Sequence, residues 1–121
     1  MGKRSSKKST ATSWINQLDP DEINDAREEA LVDAFGDYEQ HSAFLTALED
    51  VLVFPFSAMV LNEKVSVVAM KWPKDDEFGL DLVIERDSEK HRMDARFVEL
   101  VEPFPDGHLT LAAYLKWRRF V

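Results

Sequence analysis

Three carboxylates surround a single glycine in LVDAFGDYEQ, residues 31–40 of the chain. Asp33 precedes Gly36, Asp37 and Glu39 follow it, and the segment contains no basic residue. Ca²⁺ is bound by sets of about six to eight oxygens, commonly from carboxylates and main-chain carbonyls. A helix end beside a glycine turn supplies both kinds of oxygen. The segment is therefore either a hard-cation site or a solvated break between two helices.

A second group of acidic residues precedes this segment. Steps of three, four and four residues place its members on one helix face, namely Glu22, Asp25, Glu29 and Asp33. Each like-charged neighbour pair costs about 0.2–0.5 kcal/mol, which a solvated face tolerates without a ligand. A third group, Asp75, Asp76 and Glu77, is typical of a solvated loop tip, or of a loop that closes over a shared ion.

Most catalytic chemistry has no support in the sequence. The chain has no cysteine, which excludes disulfides, thiolate metal sites and cysteine nucleophiles. Its four glycines are too scattered for a phosphate-binding loop, and no serine has the setting of a nucleophile elbow. The three histidines are too far apart for a local metal motif, and His41 is expected to pack on a helix's inner face. The EF-hand pattern fails because Asn24 and Ala30 occupy the positions that need glycine and glutamate.

The charge is distributed very unevenly along the chain. Overall it is −8, but residues 1–12 carry four basic residues and no acidic one. Residues 13–52 contain eleven acidic residues against Arg27 alone, a net charge of −10. Such a field repels nucleic acid and attracts cations or basic proteins. Three functions therefore remain open: a calcium-binding protein, an acidic module that docks a basic protein partner, and, third, an enzyme.

Length and composition favour one domain of the cytoplasm. A chain of 121 residues that is 45% hydrophobic has material for a single core. No apolar run approaches membrane-spanning length, and the first residues lack the apolar core of a secretory signal. We expect a disordered basic tail at 1–12 and a compact domain at 13–121, in which 13–54 is helical.

The helical part is predicted to be an αα-hairpin. Asp19-Pro20 begins a helix that is expected to run to about Phe35, with Gly36 as the residue that ends it. Asp37 then caps a second helix. The inward stripe of that helix is predicted to comprise His41, Phe44, Leu45, Leu48, Val51 and Leu52.

The residue pattern of 55–121 predicts strands followed by a final helix. Strands are expected at 56–61 and 65–72 around a turn at Asn62-Glu63-Lys64, then at 80–85 and within 91–101. Residues 55–102 thus form a β part, and 103–121 a loop and a helix from about Leu109 to Phe120. The predicted class is α+β, with a helical hairpin packed on a small SH3-like antiparallel barrel.

Several segments together resemble the CcbP-like calcium-binding protein family of prokaryotes. They are VDAF at 32–35, YEQ at 38–40, LVFPFSA at 52–58 and VSVVAM at 65–70, with Tyr114, Trp117 and Phe120 in the terminal helix. The resemblance covers roughly residues 20–121, in order and at compatible spacing.

The resemblance implies a non-enzymatic Ca²⁺ buffer or sensor that uses an acidic surface. It assigns metal-binding roles to Asp33, and also to Asp37 and Glu39. With the neighbouring acidic groups included, the expected metal ligands are Asp33, Asp37, Glu39, Glu29, Asp75 and Asp76. The acidic turn here is less dense than the family pattern, since glycine and tyrosine interrupt it.

Overall fold

The computed structural model describes residues 11–74 and 78–121. Asp75, Asp76 and Glu77, and the basic tail at 1–10, lie outside the described residues. The three α-helices are α1 (Pro20–Ala30), α2 (Asp37–Val51) and α3 (His108–Trp117). Short 3-10 helices span Ser13–Gln17 and Ala95–Phe97.

Helix α1 begins as expected and ends early. The side chain of Asp19 accepts a hydrogen bond from the Asp21 N–H at 2.9 Å, and Pro20 occupies the first turn. The helix ends at Ala30, so the predicted end near Phe35 is wrong. The reason is that Val32 and Phe35 are 69% and 77% exposed, so burial of an apolar stripe does not extend the helix past Ala30.

Helix α2 has a different start from the one expected. Gly36, at φ +85°, is its N-cap rather than the end of α1, and Asp37 is its first helical residue rather than its cap. The predicted inward stripe is confirmed at its buried positions, His41, Phe44, Leu45, Leu48 and Leu52. Val51 is 39% exposed, so its predicted inward position is wrong.

The β part is one antiparallel sheet. Its strands are β1 (Phe56–Val60), β2 (Glu63–Lys71), β3 (Asp81–Arg86), β4 (Glu89–Asp94) and β5 (Glu99–Leu100), in the spatial order β4-β3-β2-β1-β5. The β1–β2 turn is Leu61-Asn62, with φ of +51° and +66°, rather than the predicted three-residue turn. Asp87-Ser88 joins β3 to β4 in the same way. Two consecutive left-handed residues match the twist of a hairpin.

The α+β class is confirmed, but the barrel and the helical hairpin are not. The sheet is open, because β4 and β5 form its two edges and do not pair with each other in the described part of the chain. The 3-10 helix Ala95–Phe97 interrupts the chain between them, and β5 has only two residues. Helix α1 packs mainly on α3 and only slightly on α2, because the extended loop 31–36 separates the first two helices.

One core joins the helices and the sheet. Its fully buried side chains are Trp14, Ile15, Phe44, Leu45, Leu48, Val67, Leu82, Val98, Leu100, Leu111, Tyr114 and Leu115. At the surface, the first turns of α1, the first residue of α2 and the last residues of α3 line one cavity. Among residues 11–74 and 78–121, no helix has the length and apolar character needed to span a membrane.

Candidate functional site

Asp33 lies in the α1–α2 loop rather than in a helix. Its backbone adopts φ +63°, a left-handed conformation that aspartate and asparagine accept more readily than most residues. The side chain is exposed and makes no hydrogen bond or ion pair with any described residue. Chain geometry therefore gives a reason for an aspartate here, and its carboxylate is still available to a ligand.

Glu39 organises the same loop. Its Oε1 accepts a hydrogen bond from the Phe35 N–H at 2.7 Å, within the first turn of α2. The bond satisfies the main-chain donor just before Gly36, the N-cap of α2, and it ties the loop that contains Asp33 to that helix. One oxygen of Glu39 is thus used structurally.

Glu29 belongs to an acidic stripe on α1. It lines a shallow depression of about 400 Å³ together with Glu22, Asp25, Ala26 and Leu109 of α3. Because α1 ends at Ala30, Asp33 does not continue this stripe, so the predicted four-residue face has three members. The exposed carboxylates of Glu22, Asp25 and Glu29 form what we call the acidic stripe.

Asp37 faces a different surface. It lines a cavity of about 770 Å³ whose other charged residues are all basic, namely Arg27, Lys116, Arg118 and Arg119. We call this the basic cavity. Asp37 thus lies among positive charges, while Glu29 lies in an acidic depression. The depression and the basic cavity have no lining residue in common. The structure does not bring these two predicted ligands to one point.

No preformed cation cage exists in the described part of the chain. Within residues 11–74 and 78–121, no three Asp, Glu or His side chains form a group able to hold a metal ion. The predicted ligands Asp75 and Asp76 lie outside the described residues. Asp33, Glu39, Glu29 and Asp37 are therefore distributed over the α1–α2 loop, the acidic stripe and the basic cavity.

Among the described residues, no ion pair neutralises the negative charge of the helical part. Every ion pair between described residues lies in the β part: Arg86 with Glu63 and Asp87, His91 with Glu89, Arg92 with Asp81, and Arg96 with Asp94. The acidic residues of 13–52 form none with the described bases. Their charge is thus exposed to solvent and to any approaching cation.

His41 occupies a buried aromatic cluster beside these surfaces. Its ring stacks on Phe78 with centroids 4.8 Å apart, and Tyr114 and Trp117 pack around it. The Gly79 N–H lies 2.9 Å from Nε2. Burial lowers the pKa of His41 below its ordinary 6.5, and the positive charge of Arg118 lowers it further, against the hydrogen bond to Gly79. The expectation that His41 packs inward is confirmed.

Sequence reasoning missed the basic cavity. Its signals were present, since Lys116, Arg118 and Arg119 fall close together and Arg27 is the single base of residues 13–52. The pairing of α1 with α3, which brings Arg27 to the others, is a tertiary contact that no local pattern indicates.

No family model, curated protein or solved structure matches this chain. The resemblance to the CcbP-like family stays a prediction.

Proposed function

We propose that this chain is a non-enzymatic Ca²⁺-binding protein of the cytoplasm, a buffer or sensor, whose acid-rich helical part attracts the ion without an EF-hand. The observation that carries the proposal is the lack of any ion pair between the acidic residues of 13–52 and the described bases. Eleven carboxylates against one base create a local field that concentrates divalent cations. The resemblance to the CcbP-like family supports the same function.

The expected binding is weak and keeps several waters on the ion. Ca²⁺ takes about six to eight oxygens, and no three described carboxylates converge, so water must complete the shell. Asp33 is the proposed principal ligand because its carboxylate is exposed and has no partner among the described residues. The second oxygen of Glu39 and the acidic stripe add to the field at this end of the molecule.

Thermal unfolding in Ca²⁺, Mg²⁺ or EDTA tests the proposal. A ligand that binds only the folded state stabilises it by about 2.7 kcal/mol at a hundredfold excess over Kd. We expect Ca²⁺ to raise the unfolding temperature and Asp33→Asn to reduce that rise while leaving apo stability nearly unchanged. Asp87→Asn is the matched control, since Asp87 is also exposed and left-handed, at φ +55°, but lies in the β3–β4 turn. Equal unfolding temperatures in Ca²⁺ and EDTA would reject the proposal.

A second candidate function is an acidic module that docks a basic protein partner. Two observations favour it: the acidic groups are spread out rather than convergent, and Val32 and Phe35 are exposed beside Asp33. Apolar side chains among acidic ones suit a partner that presents both apolar and basic groups. Capture of such a partner in EDTA, lost in a Val32→Ser/Phe35→Ser variant, would favour docking over calcium binding.

We further propose that the sheet, which is open between the described edge strands, closes into an SH3-like barrel in solution. Support comes from the β1–β4 meander, followed by a 3-10 helix and a last strand that returns to pair with β1. Main-chain hydrogen bonds between β4 and β5, measured by NMR in the full chain, would test closure. Their absence in solution would leave the sheet simply open.

A further inference from the structure

The basic cavity has the opposite sign of charge from the rest of the helical part. Its lining contains Arg27, Lys116, Arg118 and Arg119 against Asp37 alone, in a chain of net charge −8. Arg27 comes from α1, while the other three come from the C-terminal end of α3 and the residues after it. Two separate parts of the chain therefore converge to make a cavity with four basic side chains.

Three of the four positive charges in the cavity form no ion pair with a described residue. These charges belong to Arg27, Lys116 and Arg119, which are exposed. Arg118 is more constrained, because it donates a hydrogen bond to the Tyr114 hydroxyl at 3.0 Å and lies 6.0 Å from the Phe78 ring centroid. The guanidinium of Arg118 is thus held in place, whereas the other three side chains are available to a ligand.

Helix α2 adds a further feature that favours an anion. Asp37, its first residue, lies in the cavity wall, and no side chain caps the helix N-terminus. The main-chain N–H groups of the first turn of a helix, with the dipole, favour negative charge. The uncapped end of this 15-residue helix and the four basic side chains therefore meet at one cavity.

The cavity also has an aromatic wall. Phe78 and Trp117 are among its lining residues, Phe78 is 41% exposed, and the Trp117 Nε1–H donates to Gln40 Oε1 at 3.0 Å, which fixes the indole. Rings of this kind pack against a flat apolar group, while guanidinium groups bind phosphate through paired hydrogen bonds.

From these contacts we propose that the basic cavity binds a small organic phosphate. The phosphate group of this ligand binds the arginines, and its flat ring packs on Trp117 and Phe78. The charge distribution around the cavity favours a small ligand over a nucleic acid strand. The net charge of −8, with the acidic stripe on the other flank of α1, repels a long phosphate backbone. Asp37 opposes the phosphate, so its removal should strengthen binding. This site is separate from the proposed calcium function, and its test is done in EDTA.

NMR titration of the full ¹⁵N-labelled chain tests the site, with adenosine monophosphate as the probe and adenosine and inorganic phosphate as its two halves. We expect the monophosphate to shift the Trp117 indole signal and the amides at the start of α2, while buried Trp14 stays unshifted. Adenosine and phosphate should each bind more weakly, because each supplies one half of the contacts. Equal binding of adenosine and its monophosphate would overturn the phosphate assignment, and equal binding of inorganic phosphate would overturn the ring contact. The absence of any shift would overturn the site.

Charge variants make the test specific. Arg27→Gln/Lys116→Gln should weaken binding of the monophosphate by about a hundredfold, because two charge-assisted hydrogen bonds are lost and each is worth about a factor of ten. Lys64→Gln/Lys90→Gln is the matched control, since it removes two exposed bases of the sheet. Asp37→Asn should tighten binding. If the control variant loses as much affinity as the cavity variant, the binding is non-specific electrostatics and the site is rejected.

Discussion

The imidazole of His41 is bound to the main chain of Gly79, 38 residues further along. Its Nε2 lies 2.9 Å from both the nitrogen and the carbonyl oxygen of that glycine. Only 4% of His41 is exposed, and the adjacent Phe78 stacks on the ring. This contact joins the start of α2 to the segment that leads into β3, so it fixes one wall of the basic cavity.

The first prediction concerns pH. Burial lowers the pKa of His41 below 6.5, so the unfolded chain takes up a proton more readily than the folded one. The neutral ring contributes its full stability above pH 6.5 and loses it as pH falls from 6.5 towards the lowered pKa. The loss from this one group is at most about 1.4 kcal/mol per pH unit. Urea unfolding at pH 7.5 and at pH 5.5, in EDTA, measures this loss in the free energy of unfolding.

His41→Gln removes this titration and keeps a side-chain amide near Gly79. The free energy of unfolding of the variant should therefore fall less between the two pH values than that of the unmodified chain. His91 and His108 are the same in both proteins, so the difference between the two proteins isolates His41. Parallel loss of stability in the two proteins would show that His41 does not titrate differently on unfolding.

The second prediction concerns Gly107, where α3 passes close to α2. A Cβ at this position would lie 2.7 Å from the Leu52 Cα and from the Val51 carbonyl oxygen, and φ is +91°. Gly107→Ala should cost about 2–4 kcal/mol in the free energy of unfolding, because main-chain atoms must move. Gly36→Ala is the control for backbone strain alone: φ is +85° and ψ +157°, a conformation that glycine almost alone adopts, but nothing lies within 4 Å, so its cost of about 1–3 kcal/mol includes no steric clash. A cost under about 1 kcal/mol for Gly107→Ala would contradict the close contact of Gly107.

The third prediction concerns the loop around Asp33. Glu39→Ala leaves the Phe35 N–H without its acceptor and should cost about 1 kcal/mol in chemical denaturation. Glu39→Gln keeps an oxygen in the same place and should retain most of that stability. If the alanine and glutamine variants are equally stable, the hydrogen bond contributes nothing and the loop is held by other contacts.

The fourth prediction concerns the acidic stripe. Asp25 has acidic neighbours three and four residues away on both sides, so Asp25→Asn should raise the apo free energy of unfolding by about 0.5 kcal/mol. Glu63→Gln is a control of opposite sign, because it weakens the ion pair with Arg86 and should slightly lower stability. A stabilisation that persists in high salt would contradict charge repulsion as its cause.

Much of the fold was predictable because its signals are local. The start of α1 follows from Asp19 and Pro20, and the buried stripe of α2 follows from helical spacing. The end of α1 was mispredicted because Gly36 was assigned as the residue that ends it, whereas Gly36 is the N-cap of α2. The open sheet was not predictable either, since closure depends on the pairing of two-residue β5 with its neighbours.

The candidate site was predictable only as a region of charge. The count of acidic residues indicated an uncompensated field, and the described ion pairs agree with it. The predicted position of Asp33 is wrong: a helix that ran to Phe35 would contain Asp33 in its last turn, whereas Asp33 lies in a loop at φ +63°. The separation of Asp37 from Glu29 depends on tertiary packing of α1 against α3, as does the convergence of the basic cavity.

Calorimetric titration of the full chain with Ca²⁺, at low ionic strength and with Mg²⁺ as a comparison, measures the proposed function most directly. We expect a saturable heat that EGTA abolishes and that the triple variant Asp25→Asn/Glu29→Gln/Asp33→Asn strongly reduces. Heats no larger than dilution up to millimolar Ca²⁺, or full binding by the triple variant, would contradict calcium binding by the acidic helical part.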